Sequence, residues 1–309
     1  MRRLIIIKVE LKVISQISGC SPDGLRRGIW DAEIACSNHA IPTENFKIME
    51  IGKPFKSIDS YNNAMAQSIE DKLFFLEHLP KDNYLFIDFG CADGSLISEL
   101  QKLIPQSSFI GYDISEEMLQ KAKFKNPIVE YTNDWHKVVT EIKHSSKKSV
   151  LILSSVIHEV YSYAETEQDV IDFWSKVLCT GFDYIVIRDM IPDSSINRQS
   201  EAQDEINVLR RCNRDQLFEF ESHFGLISNN QNLVHFLLKY RYIINREREV
   251  NENYFPIYKD EFLAKFSGFK PIYLKSFVVP FLEHCVYNDF NIHLVDNTHL
   301  KVIFRNVKN

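Results

Sequence analysis

The stretch from Leu85 to Gly94, LFIDFGCADG, decides how the rest of the chain can fold. Its apolar start has the length of a short buried strand, which then breaks into a turn that carries Gly90 and Gly94. Apolar side chains recur after the turn at the spacing of a helix face: Leu96, Ile97, Leu100 and Leu103. Such a strand-turn-helix brings bare backbone and free N–H groups close to a ligand. The stretch therefore predicts a ligand site.

The acidic residue before this turn, Asp88, adds a second feature. The run from Asp88 to Gly94 resembles the first motif of class I (Rossmann-like) S-adenosylmethionine-dependent methyltransferases, in which an acidic residue precedes a glycine-rich loop. The resemblance implies S-adenosylmethionine as cofactor and places four residues of the loop against it: Asp88, Gly90, Ala92 and Gly94. Ala92 stands where the family has its middle glycine. An ordinary tight turn is the alternative interpretation, because short glycine motifs recur by chance.

Composition limits the class of protein. The 309 residues carry a net charge of −6, so no overall basic field attracts nucleic acid. The six cysteines show no metal-binding spacing, which favours reduced thiols and a cytoplasmic location. No apolar stretch is long enough to cross a membrane. We expect a globular enzyme without a metal site.

Short apolar strands alternate with helical patterns, which predicts a mostly parallel sheet with helices on both faces. The predicted strands are 84–89, Phe109–Asp113, Ile128–Tyr131, Ser149–Ser154, Tyr184–Arg188, Pro271–Val279 and Leu300–Phe304. The predicted helices are 58–79, 94–104, one from Ser115, Asp134–Ile142, Glu165–Leu178 and Lys259–Phe266. The family topology implies a seven-stranded mixed sheet whose last strand is antiparallel and lies beside the fifth.

The same pattern divides the chain into four parts. Residues 1–79 are predicted to form an N-terminal extension, with a strand at Ile5–Val13, and a leading helix. Residues 80–191 are the cofactor-binding α/β core, and 258–309 supply its final helix and last two strands. Residues 192–257 are predicted to form a helical lid inserted after the fifth strand. Its helices are expected at Glu201–Arg211 and Asp215–Phe224, and Leu233–Tyr240 is a helix or a strand.

A second acidic residue, Asp113, ends the second predicted strand, 25 residues after Asp88. An ionised carboxylate accepts two hydrogen bonds from a vicinal diol. The resemblance implies that Asp113 binds the ribose hydroxyls and that Ile114 flanks the adenine. It also places Asp134 and Trp135, which follow the third strand, against the adenine. A helix N-cap at Asp134 and a packing Trp135 are the equal alternative.

The run from Ser154 to Tyr161 follows the fourth predicted strand, where family members present groups to the sulfonium and the substrate. Ser154 is expected at the rim of the cofactor site. His158 is a candidate general base, since the ordinary pKa of histidine lies near neutral pH. A structural role at a helix terminus is its equal alternative. Glu159 is expected to bind substrate, and Tyr161 is a second catalytic candidate.

Arg188 ends the fifth predicted strand, next to Asp189. The resemblance places this position at the substrate cavity, where Arg188 is expected to hold an anionic group. A structural Arg–Asp pair is the alternative.

These residues predict methyl transfer from S-adenosylmethionine to an acceptor, more a small molecule than a nucleic acid. Two alternatives stay open: an RNA-modifying methyltransferase, and a non-catalytic binding or scaffolding protein of the same fold. A local basic surface would favour RNA, and its residues would be Arg210, Arg211, Arg214 and 239–248. Metalloprotease, serine-hydrolase and P-loop motifs are absent.

Overall fold

The computed structural model describes Ile69, residues 71–243 and residues 246–307. The predicted strand Ile5–Val13 and most of the predicted leading helix lie outside these residues. The described end of that helix is a 3-10 turn at Phe74–Glu77, whose Phe75 is fully buried.

The sheet has seven strands in the order β3-β2-β1-β4-β5-β7-β6. Their bounds are β1 Tyr84–Phe89, β2 Ser108–Tyr112, β3 Glu130–Thr132, β4 Lys148–Ser154, β5 Tyr184–Asp189, β6 Phe269–Phe277 and β7 His299–Asn306. The strands β1 to β5 pair in parallel, and β7 lies antiparallel between β5 and β6. The predicted fold class, including the position of the last strand, is confirmed.

Helices connect the strands and cover the sheet. Their bounds are α1 Ser95–Leu103, α2 Glu116–Lys125, α3 Trp135–His144, α4 Ile157–Tyr163, α5 Glu167–Cys179, α6 Ala202–Arg211, α7 Arg214–Phe224, α8 Asn230–Lys239, α9 Arg246–Glu249, α10 Lys259–Ala264 and α11 Pro280–Phe290. The sequence did not predict α4 or α11. Strand β3 begins two residues later than predicted, because Ile128 is exposed and pairing with β2 starts at Glu130.

Two hydrophobic cores lie against the sheet, because its parallel strands are buried on both faces. Along β1, Leu85 and Ile87 enter one core, while Phe86 enters the other together with Phe75. Alternate side chains of a strand point to opposite faces, so a single apolar run supplies both cores.

A third core forms a helical layer from residues 196–243, residues 246–255 and α11. Helix α11 contributes Val286 and Phe290, both fully buried, to the same cluster as Leu237 of α8. The segment between β6 and β7 therefore packs in the helical layer, while the two strands on either side of it belong to the sheet.

Candidate functional site

The carboxyl ends of β1, β2, β4 and β5 meet at one edge of the sheet, and the chain turns there into the glycine loop. Gly90 and Gly94 both have left-handed backbone, with φ of 74° and 71°. A Cβ at Gly90 would lie 2.8 Å from a methyl carbon of Val156, and one at Gly94 would lie 2.6 Å from the Tyr131 hydroxyl. Both positions therefore require glycine. Ala92, at the family's middle-glycine position, also has a positive φ, 46°, and is exposed.

The carboxylate of Asp113 fixes this loop to the end of β2. One of its oxygens accepts the Ala92 N–H at 2.9 Å, and the other accepts the Ser115 N–H at 2.8 Å. Each carboxylate oxygen retains further acceptor capacity. The next residue, Ile114, is 84% exposed. The Asp113 carboxylate thus lies beside the exposed Ile114 side chain, next to the glycine loop.

Asp88, at the end of β1, is buried beneath the loop. Burial raises the pKa of this carboxyl to about 7, with Lys72 opposing the shift and Asp113 adding to it. The residues that the structure describes donate no hydrogen bond to it. A buried carboxylate without a donor is costly and needs a partner.

Two other polar groups near the loop lack partners. The side-chain hydroxyls of Ser154 and Tyr131 are buried and make no hydrogen bond with the residues that the structure describes. Ser154 ends β4, the neighbour of β1, and Tyr131 lies against Gly94. Buried hydroxyls are usually satisfied, so unsatisfied ones at a loop mark a place for a polar ligand.

Asp134 and Trp135 make the contacts of the alternative interpretation, a helix N-cap and a packing side chain. Asp134 caps α3 by accepting the His136 N–H at 2.9 Å, and it stays exposed. Trp135 packs edge-on against Phe89 and Tyr112, with ring centroids 5.6 Å and 5.0 Å away. Asp134 therefore caps α3, and its predicted role as a cofactor ligand stays a prediction.

His158 is buried between two carboxylates. Its Nδ1 lies 2.7 Å from Asp189, and its Nε2 lies 3.7 Å from Glu252. Burial lowers the pKa of this imidazole, but the two carboxylates outweigh burial and raise the pKa to about 10. The ring is therefore a protonated imidazolium at neutral pH. A general base needs an unprotonated nitrogen, so a base role for His158 stays a prediction. The structural alternative at a helix terminus also fits, because His158 is the second residue of α4.

The charges around His158 form a network that joins the sheet to residues 246–252, which we call the strap. Glu252 accepts Arg248 Nε at 2.6 Å, and Arg248 also pairs with Glu159 of α4. Burial raises the pKa of Glu159, with Arg248 opposing the shift. The buried ammonium of Lys239 donates to the backbone carbonyls of Glu249 and Glu252. The strap is thus fixed from both sides.

Tyr161, the second predicted catalytic residue, makes packing contacts, and its catalytic role stays a prediction. Its hydroxyl accepts the indole N–H of Trp174 at 3.0 Å, and its ring packs against the core on that face of the sheet. In the described part of the chain, no hydrogen bond or ion pair links Tyr161 to the network around His158.

Arg188 is buried at the end of β5. Its Nε donates to Asp71 at 2.7 Å and its Nη1 to Ser155 at 3.1 Å, and Lys301 also pairs with Asp71. Arg188 therefore pairs with Asp71 and not, as the structural alternative had it, with Asp189.

Sequence reasoning missed Asp71, Lys72 and Glu252, and also His299, which burial keeps neutral by lowering its pKa to about 3. No motif marks these positions. The charge-rich character of 241–252 was the one available signal.

Comparison with known proteins agrees with this topology. Residues 80–171 match a family model described as a methyltransferase domain. These residues are thus similar to a methyltransferase domain, and the order of the seven strands is the one expected of a class I methyltransferase. No protein of curated function matches the sequence.

Several solved structures are similar to the chain at low identity. The methyltransferase domain of bacterial CtHen1-C is 14% identical, with 77% of this chain and 96% of that chain covered and a TM-score of 0.41. A SAM-dependent methyltransferase from Archaeoglobus fulgidus is 14% identical, covering 79% and 99%, with a TM-score of 0.40. Human N-acetylserotonin methyltransferase in complex with SAM is 13% identical, covering 82% and 54%, with a TM-score of 0.40. These values carry no information on the acceptor.

Among the described residues, none of the helices combines the length and apolar character needed to span a membrane. The same residues contain no cluster of histidine, cysteine and acidic side chains suited to a metal ion.

Proposed function

We propose that this protein binds S-adenosylmethionine at the glycine loop and transfers its methyl group to a small-molecule acceptor. The observation that carries the proposal is the loop itself. Gly90, Ala92 and Gly94 hold it in left-handed backbone, and Asp113 presents a carboxylate at its mouth. Bare backbone, an ionised acceptor and an exposed apolar side chain converge at one edge of a parallel sheet, where such folds bind ligands.

The residues at this edge fit the cofactor group by group. The spare acceptor capacity of Asp113 suits the ribose diol, and the uncovered Ile114 side chain suits a flat base. Asp134 is exposed for the exocyclic amino group, and Trp135 supports the wall behind it. The buried hydroxyl of Ser154, which has no partner among the described residues, suits a ligand with polar groups.

When bound, S-adenosylmethionine supplies a methyl group on a sulfonium that is already strongly electrophilic. The protein's residues then have to bind, orient and exclude water. His158 is left out of proton transfer because both of its nitrogens face carboxylates. Glu159 and Arg188 remain the residues proposed to face the acceptor, since Glu159 follows the carboxyl end of β4 and Arg188 lies at the carboxyl end of β5.

The charges of the helical layer favour a small acceptor over RNA. Arg241 pairs with Asp289, Arg246 with Glu219, and Arg248 with two glutamates. The ammonium of Lys239 is buried against backbone carbonyls. Neutralised cations offer few phosphate contacts, which are the main source of affinity for nucleic acid.

Calorimetric titration of the full chain with S-adenosylmethionine and S-adenosylhomocysteine tests the cofactor site. We expect micromolar binding, and Asp113→Ala should weaken it by at least about 100-fold because charge-assisted hydrogen bonds are lost. Glu116→Ala removes an exposed acid three residues away and is the matched control. Absence of binding to the wild type, or equal binding to Asp113→Ala, would refute the placement.

A transfer assay separates the enzyme from its alternatives. The chain is incubated with methyl-labelled S-adenosylmethionine and either a small-metabolite fraction or protein-free RNA. Label in the small-molecule fraction supports the proposal. Label in RNA would show that the acceptor is RNA instead of a small molecule. Cofactor binding without transfer to either fraction favours a non-catalytic binding protein.

A further inference from the structure

Two cations, Arg188 and Lys301, lie directly opposite each other on neighbouring strands, at the carboxyl end of β5. They are register partners in the antiparallel pairing of β5 with β7. Like charges that face each other across two strands repel and destabilise the sheet. The two side chains are only 9% and 12% exposed, so water screens their repulsion weakly. Such a pair requires an anion between its charges.

Asp71 supplies this anion from the segment ahead of β1. One of its carboxylate oxygens, Oδ2, accepts a hydrogen bond from Arg188 Nε at 2.7 Å, and the other, Oδ1, accepts one from Lys301 Nζ. Burial raises the pKa of Asp71, but the two cations outweigh burial and lower the pKa, so the carboxylate stays ionised. The two cations thus bind a carboxylate by both of its oxygens, one oxygen to each cation.

Other groups than Asp71 also hold the two cations in place. Arg188 Nη1 donates to the Ser155 hydroxyl at 3.1 Å. Ser155 has left-handed backbone, with φ of 58°, and such strain in a residue with a side chain is typical of functional sites. The centroid of the Phe277 ring lies 6.0 Å from the guanidinium carbon of Arg188 and 4.7 Å from Lys301 Nζ. The cations therefore keep their positions when one anion is exchanged for another.

The anion is the accessible member of this cluster. The side chain of Asp71 is 28% exposed, whereas both cations are covered, so a carboxylate from solution reaches them by taking the place of Asp71. No second acid in the described part of the chain forms an ion pair with Arg188 or Lys301, which leaves them an excess of positive charge. Ser155 directly follows β4, so the cluster lies at the edge of the sheet that also carries the glycine loop.

We propose that Arg188 and Lys301 form the binding site for a carboxylate of the acceptor, and that Asp71 occupies this site until the acceptor displaces it. The choice of acceptor rests on the proposed function, whereas the carboxylate site itself does not depend on methyl transfer. A tethered carboxylate competes as if it were present at about millimolar concentration. Small carboxylates without further contacts are therefore kept out, and the site selects acceptors that also bind through a second group.

Thermal unfolding of the full chain tests the carboxylate site, with acetate as the probe. Asp71→Ala removes the internal carboxylate and leaves room for acetate. Its melting temperature should be at least about 2 °C higher in sodium acetate than in sodium chloride of equal ionic strength, because acetate binds the folded state. The wild type should differ by less than about 0.5 °C between the two salts, since Asp71 fills its site.

Two further variants serve as controls. Adding Lys301→Met to Asp71→Ala should abolish the acetate effect. Asp82→Ala removes an exposed acid that pairs with Lys148, and it should respond to the two salts as the wild type does. Equal melting temperatures of Asp71→Ala in both salts, or the same acetate effect in Asp82→Ala, would overturn the carboxylate site.

A transfer assay tests the class of acceptor. The small-metabolite fraction is divided on an anion-exchange resin and incubated with methyl-labelled S-adenosylmethionine. Label should enter the retained, anionic molecules. Asp71→Asn keeps the size of the side chain but removes the competing charge, so it should raise transfer at limiting acceptor by about 10-fold. A purely structural ion pair predicts the opposite sign, a loss of transfer.

Label confined to the molecules that the resin does not retain, or lower transfer by Asp71→Asn, would overturn the proposed role of the site. Calorimetric binding of S-adenosylhomocysteine to the wild type separates this result from failure of the proposed function. With the cofactor bound, either result overturns the acceptor's carboxylate alone. Without binding, the proposed function fails, and the acetate measurement still decides whether Arg188 and Lys301 form a carboxylate site.

Discussion

Replacement of His158 by Gln tests the buried network between the sheet and the strap. The variant leaves Asp189 and Glu252 without the cation between them. Raising the pKa of His158 from 6.5 to about 10 corresponds to a stabilisation of about 4 kcal/mol at pH 7. This agrees with the cost of about 3–5 kcal/mol for breaking a buried ion pair.

The sign of the pH dependence follows from the direction of the shift. The stabilisation from a raised pKa is complete below the ordinary value of 6.5 and is lost as the pH rises through about 10. The stability difference between wild type and variant should therefore fall from about 4 kcal/mol at about pH 7 to about 1 kcal/mol at about pH 9.5.

Urea unfolding of both proteins at these two pH values measures the difference directly. His136→Gln, an exposed histidine on α3, is the control and should change stability by less than about 0.5 kcal/mol at either pH. If His158→Gln were as stable as the wild type at neutral pH, or equally weakened at both pH values, His158 would not be a buried imidazolium.

Two more variants and one titration probe the loop. Gly94→Ala combines a positive φ with a Cβ 2.6 Å from the Tyr131 hydroxyl, so it should cost about 1–3 kcal/mol in urea unfolding and abolish cofactor binding. Gly181 also has a positive φ but has open space around it, so Gly181→Ala should lose only the stability that the strained backbone costs. An equal loss of stability in the two variants would contradict the clash between a Cβ at Gly94 and Tyr131. Affinity for S-adenosylhomocysteine should rise with pH through about 7 as Asp88 ionises, and level off about one pH unit above it; a flat calorimetric profile from about pH 5.5 to about 8 would exclude Asp88 as a ligand.

The loop and the sheet were predictable because their signals are local. An apolar run, two glycines and an acid within ten residues predict β1 and its turn, and the actual strand is Tyr84–Phe89. The cap of α2 at Ser115 was predicted in the same way and is confirmed by the Met118 N–H that its hydroxyl accepts. Such signals depend on neighbours in sequence.

The charge state of the site was not predictable, because it depends on residues far apart in the chain. Asp71 meets Arg188 across 117 positions, and Glu252 reaches His158 from the helical layer. A histidine near neutral pKa looks like a base in the sequence, but it becomes a fixed cation once two carboxylates enclose it. The hydrogen bond between Tyr161 and Trp174 was hidden from the sequence for the same reason, since Trp174 lies on another helix.

The chain leaves the sheet after β6, enters the helical layer as α11, and returns to the sheet as β7. Part of the helical layer thus comes, in chain order, between two strands that are neighbours in the sheet. Deleting residues 192–257 would strip the cover from Val286 and Phe290, which α11 cannot bury alone. The helical layer therefore cannot be exchanged as an independent unit. Any exchange of this region between related proteins has to carry α11 with it, so recombination that alters the helical layer also alters the edge of the sheet.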